Sequence, residues 1–186
     1  KKWFDATSNL SSHNNNLIRN NVSSTVSDLL IFILFTGLRK SEALGLLWED
    51  VDFENAHFTV RATKNNSDLN LPLTTFTNDL LLKRKIITES QYVFTGKDGV
   101  QQLDNPYKQI KKVNEKSGVK FTMHDLRRTF TTIASSLEIQ LHVVQTLTNH
   151  SPTDVTLKHY YQPTIETLRK PMQQINDYIL EKISGV

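Results

Sequence analysis

The chain has 186 residues, 38% of them hydrophobic and 22% charged, which suits one globular domain with at most a small appendage. Its net charge of +3 and pI near 9.1 permit a polyanionic partner without demanding one. It has no cysteine, which excludes disulfides, thiolate nucleophiles and cysteine metal sites; it also has no apolar run long enough to span a bilayer and no start of signal-peptide type, so a soluble, cytoplasmic protein with no membrane partner is expected.

Lys1 rather than Met stands first, which suits a piece of a longer protein cut near a linker. The stretch from Ser8 to Ser27 is rich in Ser and Asn and reads as an exposed lead-in, so residues 1–21 are expected to be linker. From Val22 to Thr36 the chain becomes apolar around Leu29-Leu30-Ile31-Phe32-Ile33-Leu34-Phe35, too long for a typical strand. It reads as a buried helix stopped by Gly37. A short helix from Arg39 through Leu47 should follow, with Ala43, Leu44 and Leu47 inward. Phe58, Val60 and Ala62 alternate, as do Leu69, Leu71 and Leu73, around the polar run Lys64-Asn65-Asn66-Ser67-Asp68, the pattern of a β-hairpin with a polar tip. Thr74 to Ile87 reads as a helix whose Lys83-Arg84-Lys85 forms a solvated face, and Tyr92-Val93-Phe94 as a short strand. Asn105-Pro106 supplies a cap and a first-turn proline for a helix ending before Gly118. Thr122 and Asp125 have capping-box spacing, which starts a helix running to about Leu137. Helices over Gln140–Leu147 and Thr164–Ile183 complete an α+β chain, mostly helical with a small antiparallel sheet.

His124 and Arg127 lie three apart in the first turns of the helix capped by Thr122, on one face. A helix N-terminus attracts phosphate through free amides, and a guanidinium can grip two phosphate oxygens. Alone, His-x-x-Arg is common by chance. Arg39, opening a helix behind a buried one, is equally explained by an ion pair with Glu42. On the helix after Asn105, Lys108, Lys112 and Lys116 recur every four residues with Lys111 beside them, a candidate stripe for DNA phosphates.

Taken in order, four segments resemble the tyrosine recombinases of phage-integrase type. Thr36-Gly37-Leu38-Arg39, Glu42-Ala43-Leu44 and Leu47-Trp48-Glu49-Asp50-Val51-Asp52 are similar to that family's first box. Thr63-Lys64 leading to Leu71-Pro72-Leu73 resembles its lysine hairpin, and His124-Asp125-Leu126-Arg127-Arg128-Thr129-Phe130 its His-x-x-Arg box. Leu147-Thr148-Asn149-His150-Ser151, then Thr156 and Tyr160, resemble its last box. The likeness runs from about Val22 to Tyr161.

The resemblance implies a site-specific DNA recombinase that cuts and rejoins double-stranded DNA through a covalent 3′-phosphotyrosyl intermediate. Arg39 and Arg127 would clamp the scissile phosphate, His124 would assist proton transfer at the nucleophile, and His150 would hydrogen-bond a phosphate oxygen. Lys64 would protonate the departing 5′ oxygen, and Tyr160 would attack. No metal or other cofactor is expected, since two guanidiniums supply the positive charge a metal would bring. The partners implied are DNA and further copies of the chain, as a tetramer on DNA, and the source would be bacterial or phage-encoded.

Two positions depart from the family pattern. Asn149 stands where glycine is common before the last histidine, and asparagine tolerates left-handed backbone angles. The nucleophile usually lies nine residues after that histidine, where this chain has His159; Tyr160 is preferred, with Tyr161 the alternative. A type IB topoisomerase, sharing the chemistry, and a catalytically dead DNA-binding relative are the competing readings. The domains expected are linker over 1–21 after a core-binding domain, catalytic domain over 22–162, and a helical tail over 163–186. In that tail an apolar stripe through Ile165, Leu168, Met172, Ile175, Ile179 and Ile183, broken at Pro171, could dock on a partner protomer.

Overall fold

The computed structural model describes residues 1–10, 21–61, 68–150 and 164–185. Its centre is the expected apolar helix, α2 (Val22–Thr36), in which every residue from Leu29 to Thr36 is buried. The side chain of Asn21 accepts the Ser23 amide at its start, and Gly37 ends it in left-handed geometry at φ 69°. A Cβ at Gly37 would come within 2.6 Å of the Phe130 ring, so both conformation and packing demand glycine there.

Residues 1–10 are not exposed linker. Lys2–Ser8 form helix α1, with Ala6, Thr7 and Leu10 buried, and Trp3 meets Phe121 edge to face at 5.3 Å between ring centroids. The apolar spacing of Trp3, Ala6 and Leu10 gives this segment an inner face, and the Thr7 carbonyl accepts the Ser27 hydroxyl of α2 at 2.9 Å.

Helix α3 (Lys40–Leu44) is shorter than expected because the chain turns at Gly45. A three-stranded antiparallel sheet follows, β1 (Val51–Asp52), β2 (His57–Val60) and β3 (Leu69–Pro72), in that spatial order. The expected hairpin is β2–β3, with Phe58 opposite Leu71 and Val60 opposite Leu69; β1 is an addition. Among the described residues the Tyr92–Phe94 stretch forms no ladder, and its one bridge joins Tyr92 to Leu47.

Helix α4 (Thr75–Ile87) is capped by Thr74, and its Arg84 is no solvated residue: it is 2% exposed. Its guanidinium donates to Asp28 at 2.9 Å, Thr25 at 2.7 Å and the Val93 carbonyl, so each of its three nitrogens has a partner. Helix α5 (Tyr107–Ser117) follows Asn105, whose side chain accepts the Tyr107 amide at 3.0 Å, and closes at Gly118 with φ 72°. Helix α6 (Met123–Ser136) carries the expected capping box of Thr122 and Asp125, and α7 (Leu141–Leu147) follows a tight turn.

The tail is α8 (Ile165–Ser184), one continuous helix with Pro171 inside it. Pro171 removes one backbone bond without dividing the helix. Its apolar stripe does not wait for a partner protomer: Leu168, Met172, Ile175 and Ile179 are buried against α2, α6, α7 and β3 of the same chain. Asn176, wholly buried on that stripe, accepts from the Thr74 hydroxyl at 2.7 Å and donates to the Phe35 carbonyl at 2.8 Å. Truncation at Lys170 should therefore unfold the domain. Asn176→Ala should cost about 2–4 kcal/mol in denaturant unfolding, because it orphans two buried groups and leaves a cavity. A truncated chain that keeps a cooperative transition would show the helix to be dispensable.

Candidate active site

The site is assembled where the ends of α2 and α7 meet α3 and α6. Arg127, in the second turn of α6, is buried at 4% side-chain exposure. Its Nη1 donates to the Gly37 carbonyl at 2.7 Å, and its Nη2 to the Thr148 carbonyl. Glu42 Oε2 lies 4.0 Å from Nη1. Burial first, and then repulsion from Arg39, lower Arg127 to about 10, against which Glu42 acts; the guanidinium is still charged at neutral pH.

Arg39 is the residue before α3, with 38% of its side chain exposed. Its Nη1 donates to Glu42 Oε1 at 2.8 Å and to the Asn149 carbonyl at 2.8 Å. Glu42 Oε2 accepts the Arg39 backbone amide at 2.8 Å, and Glu42 Oε1 also accepts the Asn149 side-chain amide at 2.9 Å. The ion pair with Glu42 that would explain Arg39 on its own is thus present, but it belongs to a network that reaches the far end of α7.

His150 is delivered by the stop of α7. Asn149 takes φ 50°, its amide donates to the Thr146 carbonyl at 2.9 Å, and the His150 amide donates to the Gln145 carbonyl at 2.8 Å. This is the Schellman pattern, which needs a residue that accepts left-handed angles, and asparagine does. The His150 ring sits with Nδ1 3.3 Å from Thr148 Oγ1. Exposed His124 lies one turn before Arg127 on α6, and its charge acts on His150 along with those of both arginines.

The structure thus brings Arg39, His124, Arg127 and His150 together. Lys64, Tyr160 and the alternative Tyr161 lie outside the described residues. Lys108, Lys111, Lys112 and Lys116 are all exposed on α5, and Lys111 is 3.9 Å from Glu115. Glu42 and Asn149 organise the site although each has a local explanation in the sequence; the signal for them is a carboxylate three residues after the first arginine and a side chain able to donate where glycine is usual. Two guanidiniums with a histidine beside them can bind an anion with two or more oxygens and stabilise added negative charge on it.

Partial desolvation, then the positive charges of Arg127 and Arg39, hold His150 below the ordinary histidine value. The imidazole should be neutral at pH 7, and because its folded pKa is depressed its contribution to stability is lost as pH falls below about 6.5. An NMR titration should find it below free imidazole and rising when phosphate binds. A value at or above 6.5 without phosphate would place the arginines too far away to act.

The chain matches the phage integrase family over residues 8–166. It is 28% identical over 192 residues to the prophage integrase IntF of Escherichia coli K12, covering 98% of this chain and 38% of that protein. It is 30% identical over 167 residues to the tyrosine recombinase XerA of Pyrococcus furiosus, covering 84% and 56%. The chain therefore spans about two-fifths of the length of the first relative and just over half of the second. Among solved structures, the integrase of mycobacterium phage Brujita superposes with a TM-score of 0.67 at 19% identity, over 92% of this chain and 56% of that one. The XerH site-specific recombinase bound to its difH substrate superposes at 0.63 and 21% identity, over all of this chain and 50% of that one. The structural matches establish a shared fold, and the extent of the family match settles kinship: the chain belongs to the phage integrase family.

Proposed function

We propose that this chain is the catalytic domain of a site-specific DNA recombinase that cleaves and rejoins double-stranded DNA through a tyrosine. The observation that carries the reading is the convergence of Arg39 and Arg127 on the Thr148-Asn149-His150 segment, at the N-terminal end of the helix that bears His124. In this reading the two guanidiniums hold the non-bridging oxygens of one phosphate, and charge gathering there in the transition state meets donors already fixed in place. Tyr160 forms a bond to phosphorus while the bond to the 5′ oxygen breaks. His124 assists loss of the tyrosine proton, Lys64 gives a proton to the departing oxygen, and His150 donates to a phosphate oxygen. Reversal of the same steps by a new 5′ hydroxyl rejoins the strand.

Lys108, Lys111, Lys112 and Lys116 would add sequence-independent phosphate contacts along α5. Several copies of the chain, a tetramer by family analogy, would act together on DNA. That XerH was solved on its substrate, and that the relatives named are recombinases and integrases, supports this assignment. So do the sequence segments Thr63-Lys64 and Ser151 to Tyr160, which lie outside the described residues.

The test is a duplex carrying the DNA that flanks the gene, nicked so that a short fragment diffuses away after cleavage. A covalent protein–DNA band is expected from the wild type and from Tyr161→Phe, and none from Tyr160→Phe. Retention of the band in Tyr160→Phe and its loss in Tyr161→Phe would move the nucleophile by one residue. Loss of the band in all three would favour a catalytically inactive DNA-binding relative, and supercoil relaxation without joining would favour a topoisomerase. Lys64→Ala should slow cleavage by roughly 10²–10⁴-fold. It should have little effect when sulfur replaces the 5′ bridging oxygen, because a thiolate leaves without a proton. Equal impairment on both substrates would remove Lys64 from the role.

A further inference from the structure

The Asn149 backbone does not by itself explain the asparagine. Glycine adopts φ near +50° without strain and would complete the same helix stop. What asparagine adds is the carboxamide, whose Nδ2 donates to Glu42 Oε1 at 2.9 Å across 107 positions of sequence. That oxygen is the one that accepts Arg39 Nη1 at 2.8 Å, and the same Nη1 donates to the Asn149 carbonyl at 2.8 Å. Arg39, Glu42 and Asn149 therefore form a closed ring of three hydrogen bonds, two of them ending on Asn149.

The two arginines are held in different ways. Arg127 is fixed by burial and by two backbone carbonyls, neither of which involves the Asn149 side chain. Arg39 is 38% exposed on its side chain, and among the described residues its side-chain hydrogen bonds all run through Nη1 to Glu42 and Asn149. A long side chain at a rim retains rotamer freedom unless something removes it, and immobilising it costs entropy at the moment of binding. Glu42 is 12% exposed, so its carboxylate needs donors, and the Asn149 amide is one of those that fix its orientation.

Resting on the recombinase reading, we propose that Asn149 is a positioning residue. Its carboxamide holds Glu42, and through Glu42 it presents the Arg39 guanidinium to the scissile phosphate. The device is particular to a chain with asparagine here, since a glycine supplies the turn and the carbonyl but no donor.

Asn149→Gly separates the two contributions, because it keeps the turn and removes only the amide. The variant should melt within a few degrees of the wild type and bind duplex DNA with nearly unchanged affinity. Its single-turnover rate on the nicked duplex at saturating DNA should fall about tenfold, the size expected for one lost hydrogen bond to a charged group. A merely structural role would not show the next result. Titrated with inorganic phosphate and followed by NMR, Asn149→Gly should bind several-fold more weakly than wild type, while Asn149→Gly in an Arg39→Ala background should bind as Arg39→Ala alone does. Wild-type phosphate affinity in Asn149→Gly, or an equal loss in both backgrounds, overturns the proposal. If wild type forms no covalent adduct, the recombinase reading fails, and the phosphate titration still decides whether Asn149 positions Arg39.

Discussion

One of two buried arginines, Arg127, sets the terms for the site. Arg127 is 4% exposed on its side chain, and an unpaired charge in that position would be too costly to keep. Its partners come from three elements: the Gly37 carbonyl ending α2, Glu42 on α3 just after it, and the Thr148 carbonyl ending α7, more than a hundred positions later. Satisfying one guanidinium therefore fixes the relative positions of the four helices that build the site. Arg127 is lowered to about 10 because burial and then repulsion from Arg39 outweigh the attraction of Glu42. A group held this way changes little on meeting an anion, which is what stabilising a transition state requires.

The helix ends around that cation are shaped to serve it. Gly37 turns left-handed and packs under Phe130, so its carbonyl faces Arg127 rather than solvent. Asn149 turns left-handed at the end of α7, so that consecutive carbonyls of Thr148 and Asn149 face the two arginines and His150 emerges beside them. Behind the site, α8 closes the core through Asn176. Arg169 in its second turn donates to the Asn55 carbonyl at 2.7 Å and the Ala56 carbonyl at 2.8 Å. The Asn55-Ala56 turn joins β1 to β2, so α8 is tied to the sheet whose strands β2 and β3 flank Lys64 in sequence.

Much of this was legible in the sequence, and the reasons differ from residue to residue. Leu29 to Phe35 announced α2 because a run that apolar has nowhere to go but the core. Thr122 with Asp125 announced the start of α6 because capping is a local interaction. The left-handed angle at Asn149 followed from the chemistry of one side chain. By contrast, α1 was missed because seven residues carry too little periodicity, and what holds it includes Phe121, more than a hundred positions away. Arg84 read as solvent-facing between two lysines, since nothing local shows that Asp28 and Thr25 will meet it. Of the site, Arg39, His124, Arg127 and His150 were legible through the order of the family's boxes and not through any one box. The Glu42–Asn149 bond was not legible, because it exists only after α3 and α7 have been brought together.

The central claim is that Arg39 and Arg127 serve one anion, and a crystal structure of this chain grown with orthovanadate tests it most directly. The account predicts a single vanadate with oxygens within hydrogen-bond distance of both guanidiniums and of His150, and Arg127 still bound to the Gly37 and Thr148 carbonyls. A vanadate held by only one of the two arginines, or guanidiniums that point to opposite faces of the domain, would contradict it.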